Sequence, residues 1–263
     1  MNSASFSKLV RDIRQSLAGV EQTIKDREID FLAMIAAYPT ARGCVLEIGA
    51  LKGASTIVLS KAARAAGDPE VWTCDPFTIP SENNSPAGSF YYEFSNNLQR
   101  AGQESFVKVF KGFSQDLAKQ WREPIRVLWI DADHRYAGTK QDFELFRPFL
   151  AEGAIVAFHD VLGWARGPCR VFANDVLVSE DFGACGLSGT IGWAQHLKDR
   201  QLAARHSRRK AKLRRALAPQ IAATAPSASV SRLTRWRQLL LRNLYHQSPT
   251  PTQFLRLVRR EPQ

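Results

Sequence analysis

The sequence predicts an α/β protein with a doubly wound, mostly parallel sheet, and three observations lead there. Short apolar runs of strand length recur at CVLEIG (44–49), VWTCD (71–75), FVKVFKG (106–112), VLWIDAD (127–133) and AIVAFHD (154–160). Segments with helical apolar spacing separate them, among them STIVLSKAARAAG and TKQDFELFRPFL, where Phe143, Leu145, Phe146, Phe149 and Leu150 share a face. Breaks at Gly67-Asp68-Pro69 and Glu152-Gly153 precede the second and fifth strands. Strand alternating with helix implies right-handed crossovers and a sheet covered on both sides.

Taken in order, the first strand runs into VLEIGALKGASTIVLS (45–60), a turn with Gly49 and Gly53 that opens a helix. The second ends at Asp75 and is followed by PFTIPSENNSPAGSF (76–90), a Pro-, Ser-, Asn- and Gly-rich loop expected to cover the sheet edge as a substrate lid. The third ends at Gly112 to Gln115, the fourth at Asp131 to His134 and the fifth at His159 and Asp160. Beyond Asp160, VFANDVLVS suits a helix or a strand, and LSGTIGWAQ reads as a closing strand. From about residue 197 come basic helix candidates, HLKDRQLAARHSRRKAKLRRALAPQ, SRLTRWRQLLLRNLYHQ and TPTQFLRLVRR, with the linker IAATAPSASVS among them. The expected division is an N-terminal helical segment (1–27), the α/β domain (28–196) and a basic, helical or partly disordered extension (197–263).

At 263 residues and 44% hydrophobic, the chain is long enough for one sizeable core. No apolar run approaches the roughly 18 residues needed to span a bilayer, and the charged start MNSASFSKLVRDIRQSL is unlike a signal peptide. A cytoplasmic protein is expected. Cys44, Cys74, Cys169 and Cys185 show no C-x-x-C pairing and read as buried reduced thiols. The net charge of +11 is uneven: residues 197–263 carry sixteen Lys and Arg against Asp199 and Glu261, which leaves the first 196 residues at −3. The basic tail suits an anionic membrane surface, making the protein peripheral at the inner membrane face, or an acidic protein partner; a solvated extension is the plainer alternative. Nucleic acid ranks last, since Trp236 and Tyr245 sit at helical spacing beside Leu239, Leu240, Leu241 and Leu244 rather than in a base-stacking pattern.

In an open α/β sheet, ligands bind outside the carboxyl ends of the strands, where strand order reverses. Those ends are here acidic and carry two histidines. A pyrophosphate fingerprint requires G-x-G-x-x-G, whereas this turn holds Leu51 where a glycine would stand and begins with Glu47. An acidic turn suits a cationic, phosphate-free nucleoside such as S-adenosylmethionine, with Asp75 placed to accept both ribose hydroxyls. The ordered set of E-x-G-x-x-x-G, Asp75, GFSQDL (112–117), IDADHRY (130–136) and AIVAFHD resembles the class I S-adenosylmethionine-dependent methyltransferases. Within them it is most similar to the metal-dependent O-methyltransferases that act on catechols and sugars. The resemblance spans about residues 28–195.

That resemblance implies a seven-stranded Rossmann-like sheet with an antiparallel last strand. It implies that Glu47, Gly49 and Gly53 line the methionine and ribose, that Asp75 holds the ribose, and that Ser114 and Gln115 contact adenine. Asp131 lies beside the cofactor and, with Asp160, at the positions that ligate a divalent ion, usually magnesium; His159 departs from the usual pattern and joins the ligand set. His134 matches the general base for a hydroxyl on a sugar or other small polar metabolite. An alcohol needs such a base, or a metal that acidifies it, before it attacks the sulfonium methyl. Plainer readings stand beside these: a tight turn for the glycines, an Asx turn for Asp75, a salt bridge of His134 to Asp133, a neighbouring helix for His159, and core packing for Trp129 and Trp164. A metal-independent enzyme relying on His134 alone, and a noncatalytic cofactor-binding scaffold recruited by its tail, remain as rivals.

Overall fold

A computed structural model describes residues 1–67, 70–78, 89–163, 166–222 and 249–258. Seven strands form one sheet: β1 (Cys44–Ile48), β2 (Val71–Asp75), β3 (Val107–Lys111), β4 (Ile125–Ile130), β5 (Leu150–Phe158), β6 (Phe182–Ser188) and β7 (Ile191–His196). Their order is β3-β2-β1-β4-β5-β7-β6. The first five pair in parallel, and β7 runs antiparallel to both β5 and β6. The last strand is therefore antiparallel, as expected, but it lies between β5 and β6 rather than at the edge. LSGTIGWAQ is not one strand. Gly189, at φ +63°, turns the chain so that β6 and β7 form a hairpin across Ser188 and Ile191.

The helices cover both faces because neighbouring residues along each strand point to opposite sides and both sides are apolar. One core holds Val45, Val127, Trp129, Ile155 and Trp193 against α1 (Ser3–Ser16), α2 (Asp26–Ala37), α3 (Ala54–Ala65) and α4 (Ser89–Arg100). The opposite core holds Leu46, Leu128, Val156 and Ala194 against α5 (Ser114–Gln120), α6 (Tyr136–Phe146) and α7 (Gly167–Val171). VFANDVLVS resolves as helix: α7 continues into a π-helical turn at Phe172–Val176, with Phe172 and Val176 buried. All four cysteines are free and buried, and burial pushes the thiols of Cys44, Cys74 and Cys169 up to about 12 and that of Cys185 to about 11. They remain protonated and inert.

The basic tail is partly structural. Three helices follow β7: α8 (Arg200–Ala204), α9 (Ser207–Ala222) and α10 (Pro251–Val258). Edge strand β6 leaves carbonyls unpaired, and α9 caps them: Arg209 Nε donates to Cys185 O at 2.5 Å and Lys210 Nζ to Phe182 O at 2.8 Å. Cationic capping of this kind also blocks edge-to-edge association. Residues 223–248, with the expected linker and the Trp236 to Tyr245 helix, lie outside the described residues, as does most of the 76–90 loop. No helix among the described residues is long and apolar enough to cross a membrane.

Helix α10 closes the first core, since Phe254 is fully buried with its ring 5.6 Å from that of Trp193 and 6.5 Å from that of Phe31. Truncation to Phe254→Ala leaves a cavity between these rings. Urea unfolding of the variant is expected to show a loss of about 3–5 kcal/mol; a midpoint unchanged from wild type would mean that α10 adds nothing to the fold.

Candidate active site

Strand order reverses between β1 and β4, so the chain leaving each strand there diverges and opens a crevice. Gly49, at φ +92°, lies against the fourth strand end so closely that a Cβ would fall 2.3 Å from the Asp131 carbonyl oxygen. Only glycine serves there. Gly53, at φ +88°, precedes α3 and meets Phe94 and Leu98 of α4, which would crowd any Cβ. Both glycines make the tight turn, and both also allow the loop to pack against its neighbours.

Glu47 does not reach the open rim. Its carboxylate is fully buried beneath the loop and accepts hydrogen bonds from Ser55 Oγ (2.5 Å), Thr56 Oγ1 (2.5 Å) and Thr73 Oγ1 (2.8 Å). The acid thus ties β1, α3 and β2 together instead of presenting surface charge. Burial outweighs the three hydroxyls and pushes its pKa up to about 7. Asp75 holds the other side of the loop: Oδ2 accepts from the amides of Ala50 (2.8 Å) and Leu51 (3.0 Å), and Oδ1 accepts from the amide of Phe77 (2.6 Å). The last contact is the Asx turn that the Asp75-Pro76 pair suggested.

After β3, Ser114 Oγ donates to Asp142 Oδ1 at 2.5 Å and Gln115 Nε2 donates to Gln141 Oε1 at 2.8 Å. Helix α6 therefore fixes both residues. Asp142 was not singled out in the sequence; helical spacing on TKQDFELF places it beside the apolar face, and burial raises its carboxyl to about 6.

The fourth and fifth strand ends bring Asp131, His134, His159 and Asp160 together. His134 Nε2 lies 3.6 Å from Asp131 Oδ1 and 3.4 Å from Asp160 Oδ2. The Asp133 carboxylate is held by Arg135 at 2.6 Å. Hydrogen bonding to Asp160 raises the His134 pKa above the ordinary histidine value, against the opposing effect of burial. His159 Nδ1 is 3.1 Å from Asp131 Oδ1, and its ring packs on the buried indole of Trp129. Asp160 adopts φ +54°, a left-handed turn that aspartate tolerates better than most residues.

A further carboxylate belongs to this group. Glu28, on α2, lies 3.5 Å from His159 Nε2 through Oε2. It is buried, and its remaining capacity is filled by the Lys25 amide (2.8 Å) and by the amide and hydroxyl of Thr190 (2.6 and 2.7 Å). The helix thus faces His159, in line with the plainer reading of that residue. The local sequence marks Glu28 only as an acid in the first turn of a helix. Burial is the largest influence on His159 and opposes its charge, yet Asp131 and Glu28 together raise its pKa to about 10.

Residues 46–161 match a protein family described as a methyltransferase domain. That match takes in the glycine loop together with Asp131, His134, His159 and Asp160 of this chain. Solved structures share its fold. An O-methyltransferase from Bacillus cereus in complex with SAH is 22% identical, with a TM-score of 0.51 over 72% of this chain and 90% of that one. The O-methyltransferase TomG from Streptomyces achromogenes, involved in tomaymycin synthesis and solved with SAM, is 18% identical, with a TM-score of 0.52 over 75% and 91%. A methyltransferase from Geobacter sulfurreducens is 19% identical, with a TM-score of 0.50 over 73% and 89%.

The state of Glu47 sets a pH signature for this domain. Its folded pKa lies above its unfolded value, so the native state retains a proton that the unfolded chain releases, and stability falls as pH rises from about 4.5 to about 7. Chemical denaturation of wild type and Glu47→Gln across that range should show the wild type losing a few kcal/mol, on the order of 1.4 per pKa unit, relative to the variant. Parallel curves would remove Glu47 as the cause.

Proposed function

We propose that the protein transfers the methyl group of S-adenosylmethionine to a hydroxyl of a sugar or another small polar metabolite, with His134 as the base. The observation that carries this is the position of His134 Nε2 between the carboxylates of Asp131 and Asp160, beside the glycine loop at the β1–β4 reversal. The family match and the SAM- and SAH-bound neighbours of the same fold support the cofactor.

In the reaction, the acceptor oxygen attacks the sulfonium methyl in line; the new O–C bond forms as the S–C bond breaks. The hydroxyl proton passes to His134 Nε2, and the sulfur leaves as a neutral thioether. A cationic donor is favoured by the carboxylates of Asp75, Asp131 and Asp160, and binding both reactants in one crevice supplies the orientation. Asp75 has capacity for the ribose hydroxyls beyond its backbone contacts, since each carboxylate oxygen accepts more than one hydrogen bond. We assign the adenine to Ser114 and Gln115, whose side chains α6 holds. Glu47, Gly49 and Gly53 act on the loop that receives the methionine end.

Magnesium, which the resemblance implied, suits this donor set poorly. It prefers six oxygens, and of the three side chains close enough to share an ion, Asp131, His134 and His159, two are imidazoles. No step above passes through a metal.

Two variants test the reading with a panel of hydroxylated sugars and phenols and labelled cofactor. His134→Ala is expected to lower methyl transfer by about 10²- to 10⁴-fold while calorimetric SAH binding is retained. Asp75→Ala is expected to weaken SAH binding by about 10- to 100-fold. Full activity in His134→Ala would exclude it as the base; cofactor binding without transfer to any acceptor would favour a noncatalytic scaffold.

The exposed side chains of Arg208, Lys212 and Arg215 form one stripe on α9. We propose this stripe as a contact for an anionic membrane surface. Cosedimentation with vesicles rich in anionic lipid should fall when the three are changed to Gln and when salt is raised; equal binding to neutral vesicles would count against it.

A further inference from the structure

We propose that the groove between α9 and residues 174–180 receives an acidic amphipathic helix from another protein. The inference is independent of the methyltransferase reading, since the groove lies among the helices beside edge strand β6 and shares no residue with the cluster at the strand ends.

The walls are fixed before any partner arrives. Lys210 Nζ donates to Ser179 O at 2.6 Å and to Phe182 O at 2.8 Å, which ties α9 to the opposite wall. Leu213 and Leu217, on the inner face of α9, are buried in the second core and hold the helix in place. Beside this anchored face runs a groove of about 940 Å³, with Leu177, Val178, Ala211, Ala218 and Ile221 supplying its apolar surface. Val178 is 51% exposed although Val176 and Leu177 before it are buried. Covering such a surface removes apolar area from water, and a preformed groove loses little freedom when it is filled.

Charge selects the occupant. Arg200, Arg214 and Arg215 border the groove, and Glu180, the one acid lining it, is engaged by Arg200 at 3.2 Å. The border therefore attracts negative charge. Its cations stand on α8 and partway along α9 rather than at one end, which suits acids repeated along a chain better than a single lipid headgroup. Backbone hydrogen bonding selects the conformation: α9 pairs its own amides and carbonyls, so the occupant gains no ladder bonds from this wall and satisfies its own backbone best as a helix. The lining positions of α9 run from Ser207 to Ile221, a length of about 21 Å that matches roughly four helical turns. Residues 223–248 of the same chain suit the site poorly, because they carry Arg232, Arg235, Arg237 and Arg242 and no Asp or Glu.

The experiment is fluorescence anisotropy of the full chain with a labelled, four-turn designed helical peptide that has Leu at the first and fourth positions of each heptad and Glu at the positions flanking them. Urea unfolding of each variant checks the fold. Wild type is expected to bind this peptide with micromolar affinity, about 10-fold or more tightly than a counterpart carrying Lys in place of Glu, and to bind it less well as salt rises. Arg214→Glu and Val178→Asp should each weaken binding by about 10-fold while the unfolding midpoint stays within the wild-type range. Equal affinity for both peptides, or unchanged affinity in both variants, would overturn the proposal. Tighter binding of a synthetic peptide of residues 231–247 would instead give the groove to the chain's own segment. Cosedimentation with anionic vesicles that is lost in Arg214→Glu and Val178→Asp, with no peptide bound, would give it to a membrane.

Discussion

The contact of Gly49 with the Asp131 carbonyl is the constraint on which the site depends. Parallel strands β1 and β4 are neighbours whose connections leave in opposite directions, and the crevice between them is useful only if the two strand ends meet closely. Absence of a side chain at Gly49 permits that approach. It brings the glycine loop, held by Asp75, to the edge of the cluster formed by Asp131, His134, His159 and Asp160. Any larger residue would separate the loop from the cluster and leave the two halves as unrelated features of one sheet edge.

Around that contact, charge is distributed by depth. Glu47 lies beneath the loop, where three hydroxyls replace water and where the proton is held to about neutral pH. Asp75, Asp131 and Asp160 lie nearer the opening and are compensated by backbone amides or imidazoles. A buried carboxylate without such partners would be strongly disfavoured, so the partners decide which acids act as structure and which face a ligand. Glu28 extends the same pattern to the N-terminal helices: it joins α2, the β6–β7 turn and the end of β5 through one side chain. The regions flanking the core domain in sequence are thus joined to it in space, through the core shared by Val10, Phe31 and Phe254 as well as through Glu28.

Much of this was legible in the chain. The five parallel strands announce themselves as apolar runs, and their terminal residues, Asp75, Asp131, His134, His159 and Asp160, follow directly from where each run stops. Ser114 and Gln115 were likewise located by the end of a run. The hairpin was not, because Gly189 interrupts an apolar stretch too briefly to separate two strands by periodicity alone. The helix at Val171 to Leu177 was ambiguous for the related reason that a fully buried segment loses its polar face. Basic residues of α9 looked like a solvated or partner-binding surface; Arg209 and Lys210 instead complete an edge strand, a role no composition can reveal.

The sequence alone determined which elements exist and which side chains end each strand, because those properties depend on residues adjacent in the chain. Only the tertiary structure decided that β7 enters between β5 and β6, that Glu47 points inward, and that Glu28 stands behind His159. Each of these depends on where distant segments pack. Burial and the need to satisfy polar groups are settled by that packing, and neither is written in any local pattern.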